Sequence, residues 1–168
     1  MKACGAGVLI LAIGNPSRGD DALGPLFLER LAEWREPRGD HDDIELFTDF
    51  QLQIEHVVDL EGRDLVLFVD ASVSCSPPFQ FTRLRPAQDT SYTSHALSPA
   101  AVLHVYARVN HAAPPPAFQL AIRGESFELG EPLGGAATAN LAAALEFTER
   151  LLARREVEIW ERFSARGG

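Results

Sequence analysis

The sequence has little of what would assign it to several specialised classes of protein. Only two cysteines, Cys4 and Cys75, occur in 168 residues. That is too few for a disulfide framework, so we expect two free thiols in a reducing compartment. The longest apolar run, Val8–Ile13, is far shorter than the ~20 residues of a membrane-spanning helix. It resembles a signal peptide only weakly, because no small-residue cleavage site follows it. These absences predict a cytoplasmic protein.

Basic residues are also scarce. The chain carries 15 Lys and Arg against 24 Asp and Glu, which gives a formal net charge of −9. Nucleic acids and anionic membrane surfaces attract proteins with basic surfaces, so the charge balance argues against both as partners. Apolar residues are plentiful, and the length suits one domain, so we predict a single folded domain over residues 1–168.

Strand and helix signals alternate along the chain. Continuous apolar runs, such as Leu65–Val69, are typical of strands that are buried on both faces. The sequence predicts, in order, strand Val8–Ile13, a helix from Asp21 or Ala22 to about Trp34, strand Ile44–Phe47, helix Ile54–Leu60, strand Leu65–Val69, strand Phe79–Leu84, helix Ala100–Val109, strand Phe118–Ile122 and helix Ala139–Arg154. This alternation predicts an α/β protein, a three-layer α/β/α sandwich around a mostly parallel five-stranded sheet.

Local signals refine that arrangement. The connection 71–78 is shorter than the dozen residues that a parallel crossover needs, so strand Phe79–Leu84 should run antiparallel. Ser98 and Thr138 are suitable N-caps for the last two predicted helices. The apolar tail around Trp160 should either pack back as a further helical turn or contact a partner.

Four acidic residues and one histidine are predicted at one edge of this sheet. Asp20 and Asp21 follow the first strand, Asp49 follows the second, Asp70 ends the third, and His95 precedes a helix. Ligands of such folds bind beyond the carboxyl ends of the strands. Each residue alone has an ordinary structural role, as a helix cap, a turn former or a solvated side chain. Their coincidence at one edge favours a functional site.

Carboxylates with an imidazole suit a divalent metal such as nickel or zinc, or hydrolysis by general acid–base catalysis. Other chemistries fit less well. There is no G-x-S-x-G motif for a serine nucleophile, and neither cysteine is predicted at this edge. Gly14, Gly19 and Gly24 do not form G-x-G-x-x-G, and acids stand where a phosphate-binding loop has Lys and Ser or Thr, which argues against nucleotide binding.

Three motifs resemble the [NiFe]-hydrogenase maturation endopeptidases. They are GNPSRGDDALG (Gly14–Gly24), LVLFVDAS (Leu65–Ser72) and the histidine of SYTSHALSP, and the order of elements fits from Val8 to about Ala153. The resemblance implies a five-stranded sheet with one antiparallel strand. It also implies a peptidase that removes a short C-terminal extension from the hydrogenase large-subunit precursor after nickel has been inserted.

The family's metal ligands fall on Asp21, Asp70 and His95, although the first acid is often Glu. The resemblance implies that these residues meet nickel that the substrate carries, so the enzyme needs no metal at rest. The activator of the attacking water stays open among Asp21, Asp70 and Asp49. We expect Asp49 and Gln51 to contact substrate, and Asp21, Asp70 and His95 to converge within ~10 Å, as ligands of one ion must.

One loop departs from the family pattern. Many members have an Asp-Gly-Gly-Thr-like sequence after the second strand, and here the loop reads Asp49-Phe50-Gln51-Leu52-Gln53. Its Gln-Leu pair is similar to that of proteases that serve cytoplasmic, NAD(P)-linked hydrogenases, which implies that subgroup.

Two alternatives and one structural assignment complete the expectations. A non-enzymatic nickel-binding maturation chaperone could use the same ligands on the same fold. An unrelated small-molecule α/β hydrolase would instead need a deep apolar pocket. We expect Asp20 to be structural, because an acid at a helix N-terminus is stabilising and its neighbour Asp21 already occupies the motif's ligand position.

Overall fold

A computed structural model describes residues 7–36, 42–89 and 97–166. It contains five strands and five α-helices: β1 (Val8–Ile13), α1 (Leu23–Arg35), β2 (Ile44–Asp49), α2 (His56–Asp59), β3 (Leu65–Ser72), β4 (Phe79–Leu84), α3 (Pro99–Asn110), β5 (Ala117–Arg123), α4 (Gly135–Ala153) and α5 (Val157–Arg166). A short 3-10 turn, Gly19–Ala22, precedes α1.

The strands form one sheet in the order β2-β1-β3-β5-β4. β1 pairs in parallel with β2 and β3, and β3 pairs in parallel with β5. β4 pairs antiparallel with β5 at the edge of the sheet. The predicted fold class is therefore confirmed, and so is the direction that the short connection assigned to β4.

Alternate residues of the central strands fill two apolar cores, one on each face. Val8 and Ile10 of β1 pack with residues of α1, α4 and α5, whereas Leu9 and Leu11 pack with residues of α2 and α3. Because helices cover both faces of the sheet, successive residues of these strands are all buried and apolar. Functional side chains are thus left to the ends of the strands and the loops.

Several boundaries differ from the predictions. α1 begins at Leu23 rather than at Asp21 or Ala22, because Asp21 lies in the 3-10 turn. β2 continues to Asp49 and β3 to Ser72, so both acids of these strands are strand residues. α2 is shorter than predicted. Ser98 caps α3 as predicted, since its hydroxyl accepts a hydrogen bond from the Ala101 N–H.

The predicted N-cap of α4 is wrong. The helix begins at Gly135 with Gly134 in an extended N-cap conformation, so Thr138 lies inside the first turn. Its hydroxyl donates to the carbonyl oxygen of Gly134 at 2.8 Å. A threonine hydroxyl can make this bond to the carbonyl four residues earlier, and it therefore does not need the cap position.

The tail folds back on the protein as α5. Trp160 is fully buried, and its ring lies edge-on to Phe81 and Phe118. Its indole N–H reaches the carbonyl oxygens of Leu151 and Arg154 at 3.0 and 2.8 Å. Of the two roles expected for the tail, the structure shows packing against the core.

Two further expectations can be compared with the described residues. Cys75 is a free and buried thiol, and Cys4 lies outside the described residues. Within the described ranges, no helix is long and apolar enough to cross a membrane.

Candidate active site

The loop after β1 is shaped by two glycines. Gly14 has φ +149°, and a Cβ atom there would lie 2.1 Å from the carbonyl oxygen of Asp21. A Cβ atom on Gly24 would lie 2.2 Å from the carbonyl oxygen of Ile13. The motif therefore uses glycine where the 3-10 turn and α1 pass directly against the end of β1. This close approach brings Asp21 to the carboxyl edge of the sheet.

Asp21 is held in place by the same loop. One of its carboxylate oxygens accepts a hydrogen bond from the backbone N–H of Asn15 at 2.9 Å. The side chain of Asn15 in turn accepts from the N–H of Ser17 at 2.9 Å, which fixes the turn. The GNPS segment thus orients Asp21 through its backbone.

Asp70 is the residue whose ionisation the fold changes most clearly. Burial raises the pKa of Asp70 to about 7, a hydrogen bond from the Ala71 N–H opposes this effect, and the negative charge of Asp21 adds to it. The 3-10 turn that contains Asp21 packs against β3, which contains Asp70, so the two acids lie on adjoining elements. A carboxyl group with a pKa near neutrality can either hold or release a proton at physiological pH.

Asp49 lies across β1 from Asp70. Ile13 pairs with Asp49, and the preceding residue, Ala12, pairs with Val69. Asp49 and Asp70 are therefore level with each other on the two strands that flank β1. Two strand spacings separate their Cα atoms by about 10 Å. The side chain of Asp49 is about half exposed (47%), in contrast with that of Asp70.

His56 contacts Asp49, an interaction that the sequence analysis missed. Its Nε2 atom lies 3.3 Å from Oδ2 of Asp49. Nδ1 accepts a hydrogen bond from the N–H of Gln53 at 2.8 Å, so a neutral ring carries its proton on Nε2, facing the carboxylate. The other carboxylate oxygen of Asp49 accepts from the Phe50 N–H at 2.7 Å. These two contacts fix the orientation of the carboxylate.

No local sequence pattern predicts the contact between His56 and Asp49. His56 stands seven residues after Asp49, in a segment whose helical part is a single turn. No helical or strand spacing brings positions seven residues apart together across a loop. The contact depends on the path of residues 50–55, which no local pattern specifies.

A small cleft opens beside Asp49. Its volume is about 260 Å³, and it is lined by Gly14, Pro16, Pro25, Thr48, Asp49 and Phe50. Most of the lining is apolar, and Phe50 is 68% exposed. The cleft could hold one apolar side chain of a bound peptide next to the carboxylate.

Asp20 turns away from Asp21 and binds a distant loop. One carboxylate oxygen accepts from the N–H groups of Glu125 and Ser126 at 2.7 and 3.2 Å, and the other accepts from that of Gly134 at 2.9 Å. Burial alone would raise the pKa of Asp20, but these three hydrogen bonds lower it below its usual value. This geometry fits the structural role that we expected for Asp20. The stabilisation comes from hydrogen bonds to a distant loop rather than from the dipole of a helix.

The remaining predicted residues fall into two groups. Gln51 is exposed in the loop after β2, and the next residue, Leu52, is fully buried and anchors that loop. His95 lies outside the described residues, so its predicted convergence with Asp21 and Asp70 stays a prediction. Among the described residues, no group of three His, Cys, Asp or Glu side chains is arranged to hold a metal ion.

No family model matches the chain, and no curated protein matches it. Solved structures do match. The hydrogenase maturating endopeptidase HybD from E. coli is 26% identical, with a TM-score of 0.67 over 89% of this chain and 92% of that chain.

Two archaeal structures extend the comparison. The [NiFe] hydrogenase maturation protease HycI from Thermococcus kodakarensis has a TM-score of 0.67 at 23% identity, over 89% of this chain and 94% of that one. A hydrogenase 2 maturation peptidase from Thaumarchaeota archaeon SCGC_AB-539-E09 has a TM-score of 0.62 at 20% identity, over 87% and 97%. The solved structures that match this chain thus include hydrogenase maturation endopeptidases, and the matches below 25% identity show a shared fold.

Proposed function

We propose that this protein is an endopeptidase that removes the C-terminal extension of a nickel-loaded [NiFe]-hydrogenase large-subunit precursor. The observation that carries the proposal is the placement of Asp21 and Asp70 at the carboxyl edge of the sheet, in a 3-10 turn and a strand that contact each other. This pair occurs on a fold whose solved examples include hydrogenase maturation endopeptidases. Peptide hydrolysis needs such groups to position and deprotonate water.

In this proposal, nickel belongs to the substrate. Asp21 and Asp70 supply two carboxylates, and His95 supplies an imidazole, a mixed set that suits divalent nickel. Leu97, two residues after His95 in the sequence, donates its backbone N–H to the Leu52 carbonyl oxygen at 3.1 Å. Leu52 follows Asp49 by three residues, so the chain after His95 adjoins the loop of the candidate site.

Asp49 is a candidate for activating water, in an aspartic-type mechanism. It is the most exposed of the three acids, and His56 and the Phe50 N–H orient its carboxylate. The adjoining apolar cleft could hold a side chain next to the scissile bond, and Gln51 is exposed for contact with the peptide. Asp70 could perform the same step, because its raised pKa makes it a competent proton acceptor near pH 7.

The finer assignments rest on the loop after β2. Its Gln51-Leu52 pair supports the subgroup of proteases that serve NAD(P)-linked hydrogenases, and a cytoplasmic location accompanies that proposal. The expected partner is accordingly the large-subunit precursor of such a hydrogenase.

Neither alternative is favoured. The structural neighbours are described as endopeptidases and proteases, and no observation supports a nickel-binding chaperone over a protease. A small-molecule hydrolase needs a pocket of ~300–1,000 Å³ at its catalytic groups. The cleft beside Asp49 measures about 260 Å³, which suits one side chain better than a whole small substrate.

The test is intact-mass spectrometry of the nickel-loaded precursor before and after incubation with the full-length protein. We expect a mass loss equal to the C-terminal extension, and no mass loss with Asp70→Asn. The exposed residue Glu29 supplies a matched control, Glu29→Gln, which should cleave like wild type. Binding of the precursor without any mass loss would contradict a protease and support the chaperone alternative.

A further inference from the structure

A second and larger cavity lies at the opposite end of the sheet. Its volume is about 540 Å³, and it is bordered by the end of β4, by Leu103 and Ala107 of α3, and by residues 111–115. Leu84, the last residue of β4, pairs with Ala117, the first residue of β5. The cavity therefore adjoins the amino end of β5, whereas Asp49 and Asp70 lie near the carboxyl ends of their strands.

Positive charge is concentrated around this cavity. Arg83 and Arg85 contribute two positive charges to its lining, the imidazole of His111 adds a polar group, and none of the described residues that line it is acidic. The chain as a whole has a formal net charge of −9. A basic lining on a strongly acidic protein is a local reversal of charge, which selects anions over cations.

Arg83 forms the rigid base of the basic lining. Its Nη1 donates to the carbonyl oxygen of Ala117 at 2.9 Å, and its guanidinium carbon lies 5.0 Å from the centre of the Phe118 ring. Nε lies 3.7 Å from a carboxylate oxygen of Glu161, which partly balances the charge. Burial lowers the pKa of Arg83, and repulsion by Arg85 lowers it further. The two guanidinium groups are therefore close enough to repel each other.

Arg85 and His111 are the groups available to a ligand. Both side chains are exposed, and neither has a hydrogen-bond or ion-pair partner within the ranges that the structure describes. An arginine without a partner can present two parallel N–H groups to one carboxylate or phosphate. An anion bound between Arg85 and His111 would also relieve the repulsion between Arg85 and Arg83.

The rest of the lining is apolar. Leu84, Leu103, Ala107 and Pro114 contribute to the wall, and Leu103 belongs to the core beneath α3. A cavity of this size lies within the range of ~300–1,000 Å³ that is typical of small-molecule sites, where apolar walls bind the body of a ligand and a few polar groups orient it. Inorganic phosphate alone would leave most of this wall uncovered.

We propose that this cavity binds a small organic phosphate, with its phosphate group against Arg85 and His111 and its apolar body against Leu84, Leu103 and Ala107. The site is separate from the candidate active site, and the proposal does not depend on the proposed protease activity.

The test is isothermal titration calorimetry of the full-length protein with three probes. Phenyl phosphate combines the charge with an apolar body, inorganic phosphate has the charge alone, and benzyl alcohol has the apolar body alone. We expect phenyl phosphate to bind with a Kd at least ~10-fold lower than that of either other probe, because burial of the ring adds to the ionic contacts. Equal binding of the two phosphates, or no binding, would overturn the proposed ligand class.

Variants test the location. Arg85→Gln should weaken phenyl phosphate binding at least ~10-fold by removing the charge-assisted hydrogen bonds. His111→Asn should weaken it less, and asparagine tolerates the φ of +50° at this position. Arg30→Gln is the matched control, because Arg30 is an exposed arginine of α1, outside the cavity lining. Unchanged binding by Arg85→Gln, or an equal loss with Arg30→Gln, would place the anion elsewhere.

Discussion

Asp20 and Asp21 are adjacent in the sequence, yet their carboxylates have opposite environments. Asp20 is 3% exposed and receives three backbone hydrogen bonds from residues more than a hundred positions away. Asp21 receives one, from Asn15, and interacts with the charge of Asp70. Asp20 can therefore stabilise a loop while Asp21 faces the candidate site, since a 3-10 turn directs consecutive side chains apart.

The environment of Asp20 predicts a pH-dependent loss of stability on Asp20→Asn. An asparagine amide would turn an NH₂ group toward an N–H donor, so the free energy of unfolding should fall by about 2–3 kcal/mol at pH 7. Because the folded state lowers the pKa of Asp20, its contribution is present above the unfolded value of 3.8 and disappears as the pH falls through the folded value.

Urea denaturation of Asp20→Asn at pH 7 and at pH 3 measures this dependence, with Glu29→Gln as the exposed control. The difference from wild type should be smaller at pH 3 than at pH 7. Equal stability of Asp20→Asn and wild type at pH 7 would show that the three hydrogen bonds do not hold the loop. Cleavage, measured where the variant is folded, should remain mostly intact.

The contribution of Asp70 to stability should depend on pH in the opposite direction. Its folded pKa of about 7 lies above the unfolded value of 3.8, so its contribution to stability is present below 3.8 and is lost as the pH rises through 7. Asn resembles the protonated acid at every pH and can keep the bond from the Ala71 N–H. Asp70→Asn should therefore be more stable than wild type at pH 8, by up to about 4 kcal/mol at ~1.4 kcal/mol per pKa unit.

The same variant should not cleave, so stability and activity should change in opposite directions at this residue. Thermal unfolding at pH 4 and pH 8 separates the effects, because the two proteins should unfold at similar temperatures at pH 4. A variant that is no more stable than wild type at pH 8 would contradict the raised pKa.

At the scale of elements, the connection between β2 and α2 positions Asp49 through His56. If Asp49 activates water, His56→Leu should lower kcat about 10-fold with little change in KM, because the carboxylate loses its orienting contact. His56→Gln keeps an N–H donor and should recover part of the rate. Steady-state kinetics on the precursor measure both. A loss in His56→Gln as large as that in His56→Leu would exclude this positioning role.

Helix α5 should be essential to stability. Trp160 is fully buried among aromatic side chains of β4 and β5, so Trp160→Ala should cost about 3–5 kcal/mol through lost burial and a cavity. Its exposed neighbour provides the control, since Glu158→Ala should change the free energy of unfolding by less than about 0.5 kcal/mol. Chemical denaturation compares them. Equal stabilities would show that α5 is dispensable.

Element positions were predictable where one pattern dominates. The apolar runs of β1 and β3 identify buried strands, and the short connection 71–78 specifies the direction of β4. The start of α4 was not predictable, because Gly134 and Gly135 are poor helix formers and the Gly134 N–H bonds to Asp20 from another part of the chain. Such long-range contacts override local preference.

The candidate site also combines features that the sequence predicts with features that depend on long-range contacts. The carboxyl-edge rule placed Asp21, Asp49 and Asp70 correctly at one end of the sheet, because it depends only on parallel strands. The partners of Asp20 and the contact of Asp49 with His56 depend on loop paths that the sequence does not specify. The raised pKa of Asp70 likewise depends on burial, which a residue pattern reports only on average.

At the scale of the whole molecule, the two ends of the sheet differ in charge. The carboxyl end has the acids Asp21, Asp49 and Asp70, and the other end has the cavity with Arg83 and Arg85. Two carboxylates that repel each other gain most from a divalent cation between them. The account therefore predicts that nickel in the precursor is required for productive binding, and that nickel-free precursor is ignored.

The most direct measurement is cleavage of purified precursor, with and without nickel, followed by intact-mass spectrometry. Wild type should process only the nickel-loaded form, because the cation removes the repulsion and orients both acids. Asp21→Asn and Asp70→Asn should nearly abolish processing, and His95→Ala should weaken it. Equal cleavage of nickel-loaded and nickel-free precursor by wild type would contradict the account, even though it would identify a protease.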